Sequence, residues 1–213
     1  MAKIIPAILT NNLETFQKQI KLMEGIADMA HIDVCDGVFV PEKTLSAEEL
    51  AIVNTPLRFS VHLMVQNPTQ EVEKWYKLPN ISQLIFQLET TKIPAAVIEH
   101  IEAYGLKAGL AINPATALEE LGGAGFMADM VLFLSVPPGK QGQPFNPEVI
   151  EKIRQFKITH PNTPVAIDGG VHLKELEMLK GLGLDYIIMG SEIFTHSDPA
   201  GHFQELQKLA NEI

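Results

Sequence analysis

Short apolar runs alternate with amphipathic stretches along the whole chain, and this alternation predicts the secondary structure. Eight runs contain few polar interruptions, as expected of strands buried on both faces of a parallel sheet. The predicted strands are residues 4–9, 27–34, 57–63, 83–88, 108–112, 130–136, 165–167 and 185–189. The segments between them carry apolar residues at helical spacing, so the chain reads as repeated β–α units.

Helix-start signals precede several of the amphipathic segments. Asn11, with a glutamate three residues later, predicts a capping box. Asn67, Asn146 and Asp198 each stand directly before a proline, which predicts an N-cap followed by proline at the first helical position. Gly181 follows a lysine at the end of another periodic segment and predicts the C-terminus of a helix.

The order of these elements predicts the fold class. Eight consecutive β–α units without a linker or low-complexity segment are typical of an α/β protein with one (β/α)8 TIM barrel and a parallel eight-stranded core. We expect residues 1–213 to form this single catalytic domain. A doubly wound open sheet is the alternative. The first β–α turn lacks the GxGxxG sequence of a dinucleotide-binding fold, which disfavours the nucleotide-binding form of that alternative.

Composition and charge narrow the classes of function. Hydrophobic residues make up 46% of the chain and charged residues 20%, enough for one sizeable core. The net charge of −10, with no basic stripe, argues against binding to nucleic acid or to an anionic membrane. The single cysteine, Cys35, excludes an internal disulfide and fits a reducing compartment. The N-terminal residues make a poor secretory signal and no apolar run suits a transmembrane helix, so we expect a cytoplasmic protein.

Imidazole and carboxylate groups occur within three of the apolar runs. They are His31 and Asp33 in MAHIDV, His62 in RFSVHLM, and Asp168 in PVAIDGG. Such groups are costly at the end of a buried strand unless something binds them, and the active sites of barrels lie at the carboxyl ends of the strands. Two nitrogen and two oxygen ligands suit zinc, and also manganese, iron or cobalt. The alternative is that these are core residues satisfied within the protein.

Glycines follow the last two predicted strands. Gly169 and Gly170 come after the seventh strand, and Gly190 with Ser191 after the eighth. Barrels often bind phosphate at these two loops, where glycine lets backbone N–H groups approach the ligand closely. We therefore expect an anion site here, with ordinary tight turns as the alternative.

A segment rich in proline and glycine, SVPPGKQGQPF at residues 135–145, follows the sixth predicted strand. Its composition predicts a lid that closes over a substrate, with Gly139 and Gly142 in contact with that substrate. The alternative is a static surface loop.

Seven stretches of the chain resemble the ribulose-phosphate 3-epimerase family, over nearly the whole length. They are IPAIL (5–9), HIDVCDGVFVP (31–41), VHLM (61–64), GLAINPAT (109–116), the 135–145 loop, IDGGV (167–171) and MGSEIF (189–194). The second, third and sixth stretches in this order make the resemblance specific. It implies a metal-dependent epimerase that acts on a ketopentose phosphate and interconverts D-ribulose 5-phosphate and D-xylulose 5-phosphate.

The resemblance also implies roles for individual residues. His31, Asp33, His62 and Asp168 match the metal ligands of the family, with zinc the expected ion. Asp33 and Asp168 also match its two acid/base residues, which remove the proton at C3 and return one to the opposite face through an enediolate. Met64 matches a methionine that caps the site, although core filling is the alternative for it.

Four positions depart from the family pattern. Ala7 replaces a serine whose hydroxyl contacts the substrate, and Cys35 stands where methionine is usual. Gln87 stands where the family often has histidine, and Lys140 lies in a lid whose sequence differs from the usual NPGFGGQ. Cys35 is also a candidate soft metal ligand. Lys140 is expected either to reach a substrate phosphate or to stay solvated.

These departures leave two alternative functions open. One is an epimerase for another ketose phosphate, such as a hexulose 6-phosphate. The other is a non-catalytic barrel that binds sugar phosphates, which would have no need of two carboxylates on opposite faces of a substrate. Members of the family are commonly oligomers, so we also expect a homo-oligomer.

Overall fold

Eight parallel strands close into a barrel in chain order, and each strand pairs with its two sequence neighbours. The structure is a computed structural model that describes residues 1–213. The strands are β1 (Lys3–Ile8), β2 (Met29–Cys35), β3 (Arg58–Met64), β4 (Ile81–Gln87), β5 (Lys107–Ile112), β6 (Met130–Leu134), β7 (Val165–Asp168) and β8 (Tyr186–Met189). All eight predicted strands are present, with ends close to the expected ones. The (β/α)8 TIM barrel is confirmed, and the open doubly wound sheet is wrong.

Helices surround the closed sheet. They are α1 (Leu13–Met23), α2 (Ala47–Leu50), α3 (Pro68–Trp75), α4 (Pro94–Glu102), α5 (Ala124–Met127), α6 (Glu148–Thr159), α7 (Ser191–Phe194) and α8 (Pro199–Ala210). Three 3₁₀ segments complete the connections, at Leu88–Thr90, Leu118–Leu121 and Leu173–Leu179. None of the helices combines the length and the apolar character that a membrane crossing requires.

The helix-start predictions hold at two positions and need correction at two others. Asn67 and Asp198 cap α3 and α8 through their side chains, each with proline next. The cap of α1 is Asn12 rather than Asn11, because the extended backbone of Asn12 brings its Oδ1 within 2.8 Å of the N–H of Thr15. At α6 the proline after Asn146 is itself the N-cap, and the helix begins one residue later than predicted.

The segment before Gly181 also differs from the prediction. It forms a 3₁₀ helix, Leu173–Leu179, rather than an α-helix. Lys180 follows this segment in an extended conformation, and Gly181 has a φ of +74°, the left-handed region that favours glycine. The predicted end of the helix is therefore correct, while the type of helix is not.

A large apolar core lies between the barrel and the helices. It contains 52 buried residues and includes Trp75, Phe16 and Phe59, which are almost completely buried. A second, smaller cluster lies inside the barrel. The outward-facing residues of each strand belong to the first cluster and the inward-facing ones to the second, because side chains alternate along a strand.

The inward-facing residues form layers of four, each layer drawn from alternate strands. The pairing registers define the layers, with a stagger of one residue from strand to strand. We call the end of the barrel at the first residues of the strands the lower end. From there upward, three layers are Ile5–Ser60–Gly109–Ala166, then His31–Ile85–Leu132–Ile188, then Ala7–His62–Ala111–Asp168. The four ionisable residues singled out from the sequence therefore occupy neighbouring heights in the barrel.

Gly109 tests how tightly these layers are packed. A Cβ added at Gly109 would lie 2.7 Å from Cγ1 of the fully buried Ile85. We expect Gly109→Ala to lower the free energy of unfolding by about 1–3 kcal/mol, because the methyl group overpacks the barrel interior. Gly123→Ala is the matched control, since no atom lies within 4 Å of its added Cβ. Urea denaturation measures both, and an unchanged stability of the Gly109 variant would contradict the assigned packing.

Candidate active site

The four ionisable residues converge at the carboxyl-terminal half of the barrel. His31 and Asp33 lie on β2, His62 on β3, and Asp168 at the end of β7. One ligand atom from each of them lies within 4.8 Å of the others, and the group is almost entirely buried. The prediction that these residues come together is therefore confirmed, although their sequence positions span more than half of the chain.

The contacts within this cluster leave imidazole nitrogens without partners. Asp33 Oδ1 lies 3.4 Å from His31 Nε2 and 3.3 Å from His62 Nδ1. Both ring nitrogens of His31 are completely buried and make no hydrogen bond. A buried polar atom without a partner is unfavourable, and a cation among these four side chains would relieve this for Nε2. The donor set of two imidazoles and two carboxylates fits a divalent metal ion.

The surroundings push the acidities of the two carboxyl groups apart. Burial acts to raise the pKa of Asp33, but the interactions with His31 and His62 outweigh it and hold that pKa below its usual range. Burial and the nearby Asp33 carboxylate raise the pKa of Asp168 to about 7. Asp33 is therefore a stronger acid than Asp168 in this protein.

Gln87 contacts the cluster from the end of β4. Its Nε2 lies 2.9 Å from His62 Nε2, and its Oε1 is buried without a hydrogen-bond partner. Both side chains are completely buried. The Nε2 atom of His62 therefore faces Gln87, and only its Nδ1 faces Asp33 and the rest of the cluster. The sequence identified Gln87 only as a departure from the family pattern. Its contact with His62 shows that it borders the cluster of ionisable residues.

A pocket opens above the cluster. It is lined by Asp33, His62 and Asp168, and also by Ala7 and Met64. Met64 is buried and packs with Cys35 and Val40, so it contributes both to the pocket wall and to a small apolar cluster. The methyl group of Ala7 on β1 lies between the strands that carry the two aspartates, which leaves room in the pocket there.

The 135–145 loop covers this pocket. Gly139, Lys140 and Gly142 all line it. The Lys140 ammonium lies 3.7 Å from Glu42 Oε1, and a Cβ on Gly139 would lie only 2.8 Å from Glu42 Oε2. Lys140 thus lies near Glu42 in this structure, while most of its side chain remains exposed to solvent. Glu42 itself was not identified from the sequence, because no local pattern pairs it with a loop so distant along the chain.

The glycines after β7 and β8 lie beneath the same loop. Gly169, Gly170, Gly190 and Ser191 line the pocket together, and the anion site expected there stays a prediction. A Cβ on Gly190 would lie 2.9 Å from Nε2 of Gln141, so this loop residue sits directly over the turn after β8. Gln141 is a second pocket residue that sequence analysis did not assign. Glycine at these turns lets the loop backbone and a ligand approach closely.

Cys35 does not join the group of ligand atoms. Its side chain is buried with Val40 and Met64, two residues beyond Asp33 on the same strand. Burial, together with nearby carboxylates, raises the pKa of this thiol well above its usual value. The thiolate form required of a soft metal ligand is therefore disfavoured in this structure.

Comparison with known proteins places the chain in a family. A model of the ribulose-phosphate 3 epimerase family matches residues 3–194. The chain belongs to this family. It is 31% identical to the ribulose-phosphate 3-epimerase cytoplasmic isoform of Oryza sativa subsp. japonica, over 97% of this chain and 93% of that protein. It is likewise 31% identical to the ribulose-phosphate 3-epimerase of Aquifex aeolicus, over 98% and 97%. The chain is therefore an enzyme, an epimerase of this family.

Solved structures share the fold at much lower sequence identity. KGPDC from Streptococcus mutans superposes with a TM-score of 0.76 at 12% identity, over 100% of this chain and 98% of that one. The 3-hexulose-6-phosphate synthase of Salmonella typhimurium gives a TM-score of 0.71 at 15% identity, over 98% of both chains. At these identities the likeness concerns the barrel alone.

Gly170 provides a test of how the loop is held over the pocket. Its φ is +61°, and an added Cβ would lie 2.5 Å from the Gln143 carbonyl oxygen and 2.6 Å from the Phe145 nitrogen. We expect Gly170→Ala to displace the loop and accelerate tryptic cleavage after the exposed Lys140. Gly122→Ala is the control, because Gly122 also has a positive φ, +48°, but open space around its Cβ. Equal cleavage rates in the two variants would contradict the packing described.

Proposed function

We propose that the chain is a metal-dependent epimerase that interconverts D-ribulose 5-phosphate and D-xylulose 5-phosphate by proton transfer at C3. The observation that carries this proposal is the convergence of two carboxylates and two imidazoles at the floor of a pocket whose other side is formed by glycine-rich turns. Membership of the epimerase family supports the reaction class, and the names of the relatives support the substrate.

Four side chains would hold the metal ion: His31 through Nε2, His62 through Nδ1, and the carboxylates of Asp33 and Asp168. The unpartnered nitrogens of His31 support this assignment. Zinc is the proposed ion, since two imidazoles and two carboxylates suit it, with manganese, iron or cobalt as the other candidates. When bound, the cation offsets the negative charge that develops on the substrate oxygens as the proton at C3 leaves.

Asp33 and Asp168 would perform the proton transfers. The C3–H bond lies next to the C2 ketone, so removal of its proton by one carboxylate gives an enediolate. The other carboxyl group, protonated beforehand, returns a proton to C3 on the opposite face, and the configuration inverts. In the reverse direction the two groups exchange roles. Ala7, on one of the two strands between those of the carboxylates, leaves room for the substrate carbons.

The substrate phosphate would lie at the other side of the pocket. Gly169, Gly170, Gly190 and Ser191 line that side, and we propose that their backbone amides receive the phosphate oxygens. The 135–145 loop, with Gly139 and Gly142 facing the pocket, would exclude water from the enediolate. Met64 would provide an apolar wall near the reacting carbons.

Gln87 would hold His62 in the tautomer that the metal requires. A metal-bound Nδ1 needs its lone pair, so the ring proton must reside on Nε2. In the structure the amide nitrogen of Gln87 faces the ring, so this tautomer requires the amide to rotate by 180°, after which Oε1 accepts the Nε2 proton in a hydrogen bond and gains a partner. A glutamine here performs the positioning role without adding another ionisable group to the cluster.

A solvent-isotope experiment tests the two-carboxylate mechanism. We expect the zinc-loaded protein in D₂O to convert D-ribulose 5-phosphate into D-xylulose 5-phosphate with deuterium at C3, followed by NMR. Asp33→Asn and Asp168→Asn should each lower the rate by about 10²–10⁴-fold. Each variant retains one base on one face of the substrate, so it should still exchange the C3 proton of one epimer only. The two variants should act on opposite epimers.

A control variant distinguishes the loss of a catalytic base from other effects of an Asp→Asn change. Asp198→Asn makes the same chemical change at an exposed helix cap and should retain full activity. Zinc content is measured for all variants, so that loss of metal is distinguished from loss of a base. Faster turnover of a hexulose 6-phosphate would favour the six-carbon alternative, and binding of the sugar phosphate without any exchange would favour a non-catalytic barrel. The homo-oligomer and the cytoplasmic location remain predictions.

A pair of substitutions at Gln87 tests the positioning of His62. Gln87→Met removes the hydrogen-bond acceptor at similar volume and should weaken zinc binding by about 10–100-fold. Gln87→Glu keeps an acceptor for the His62 Nε2–H and should bind zinc more tightly than the methionine variant. A chelator competition measures the affinity, and ¹⁵N NMR of the imidazole reports which nitrogen carries the proton. Equal zinc affinity of both variants and the wild type would refute this role.

A further inference from the structure

A second cavity lies at the opposite end of the barrel from the aspartates. It has a volume of about 360 Å³. The pocket above the four ionisable residues, at the carboxyl-terminal mouth of the barrel, has a volume of about 50 Å³. Its lining residues come mainly from the first residues of the strands, at the amino-terminal end of the sheet. This volume falls within the range of small-ligand sites, and neither the proposed reaction nor the family's site residues use this end of the barrel.

Three cations surround this lower cavity. Lys3, Arg58 and Lys107 are the first residues of β1, β3 and β5, and all three line it. They stand two residues before Ile5, Ser60 and Gly109, which form one inward layer, so the three cations point toward the barrel axis at one height. None of them takes part in the ion pairs of the protein, which involve other lysines, Arg154 and several histidines. Like charges gathered at one height repel one another.

Two carboxylates at this end of the barrel offset only part of this positive charge. Asp28 and Asp129 lie at the edge of the cavity, each one residue before an inward-pointing methionine, Met29 or Met130. They are therefore out of phase with the residues that face the axis. Asp129 already accepts a hydrogen bond from the Ala108 N–H at 2.8 Å. Three cations against two carboxylates leave the lining of the lower cavity with a formal charge of +1, in a chain of net charge −10.

The inner end of the cavity carries an unused hydrogen-bond donor. Gln83 is only 7% exposed, and its Oε1 accepts a hydrogen bond from the Ser60 hydroxyl at 3.3 Å. Its Nε2 makes no hydrogen bond within the protein, and the residue lines the cavity. This nitrogen is not one of the fully buried unpartnered atoms of the protein, so it keeps access to the cavity, where a ligand oxygen would accept from it.

We propose that the lower cavity binds a small organic oxyanion, independently of the substrate at the mouth. The Gln83 amide would donate to one oxygen at the inner end, while Lys3, Arg58 and Lys107 neutralise the charge near the opening. Ile5, Met130 and Tyr186 form walls that suit a short carbon skeleton. Phosphate esters and dicarboxylates share this chemistry, and the experiment below separates them.

Two-dimensional ¹H–¹⁵N NMR of the zinc-loaded protein tests this site, with inorganic phosphate and succinate as the probes. We expect at least one probe to shift the Gln83 side-chain N–H₂ signals and the Lys107 and Met130 amides in a saturable manner. The stronger probe identifies the source of the anion. Phosphate binding at the mouth is reported separately by the amides of Gly169 and Gly190, so failure of the proposed function and failure of this site are distinguishable.

Charge removal provides the matched comparison. The double variant Arg58→Met, Lys107→Met should bind the probe at least about tenfold more weakly, with the Gly190 response unchanged. Lys18→Met removes a cation from an exposed position on α1 and should bind as the wild type does. If the double variant does not fold, as judged by its spectrum, Lys3→Met takes its place. Absence of a response at Gln83 with both probes, or an undiminished response in the charge variants, would overturn the proposal.

Discussion

Closure of the sheet, with its one-residue stagger between neighbouring strands, is the constraint on which the rest of the structure depends. It brings inward-facing residues from distant parts of the chain to a common height. His62 and Asp168 share a layer with Ala7 and Ala111, and Asp33 lies directly above. Because two members of this layer are only methyl groups, the barrel leaves space between the ionisable groups where bulkier residues would fill it.

The electrostatics of the mouth follow from this placement. Four ionisable side chains are buried close together, and the contacts of Asp33 with two imidazoles do not satisfy every nitrogen. Buried ionisable groups with unpartnered nitrogens are costly to stability, and such a compromise is common at functional sites. Gln87 adds to this arrangement, because its amide is the only hydrogen-bond partner of His62 Nε2.

The two proposed anion sites, at opposite ends of the barrel, are built differently. At the mouth, Gly170 and Gly190 allow close approach of backbone to ligand, and the 135–145 loop packs directly on them. At the lower end, side-chain cations and the Gln83 amide surround an open cavity. In both proposals the local arrangement of donors would outweigh the net charge of −10, because fields from exposed charges are screened by solvent within about 10 Å.

The amino-acid sequence alone determined the eight strands, the barrel and the identity of the four clustered ionisable residues. Continuous apolar runs identify strands buried on both faces, and residue type marks the groups that are costly to bury. Only the tertiary structure decided the helix cap at Asn12, the contact of Gln87 with His62, and the pairing of Glu42 with Lys140. The cap depends on a one-residue difference in backbone conformation, and the two contacts join residues that become neighbours only when the staggered sheet closes.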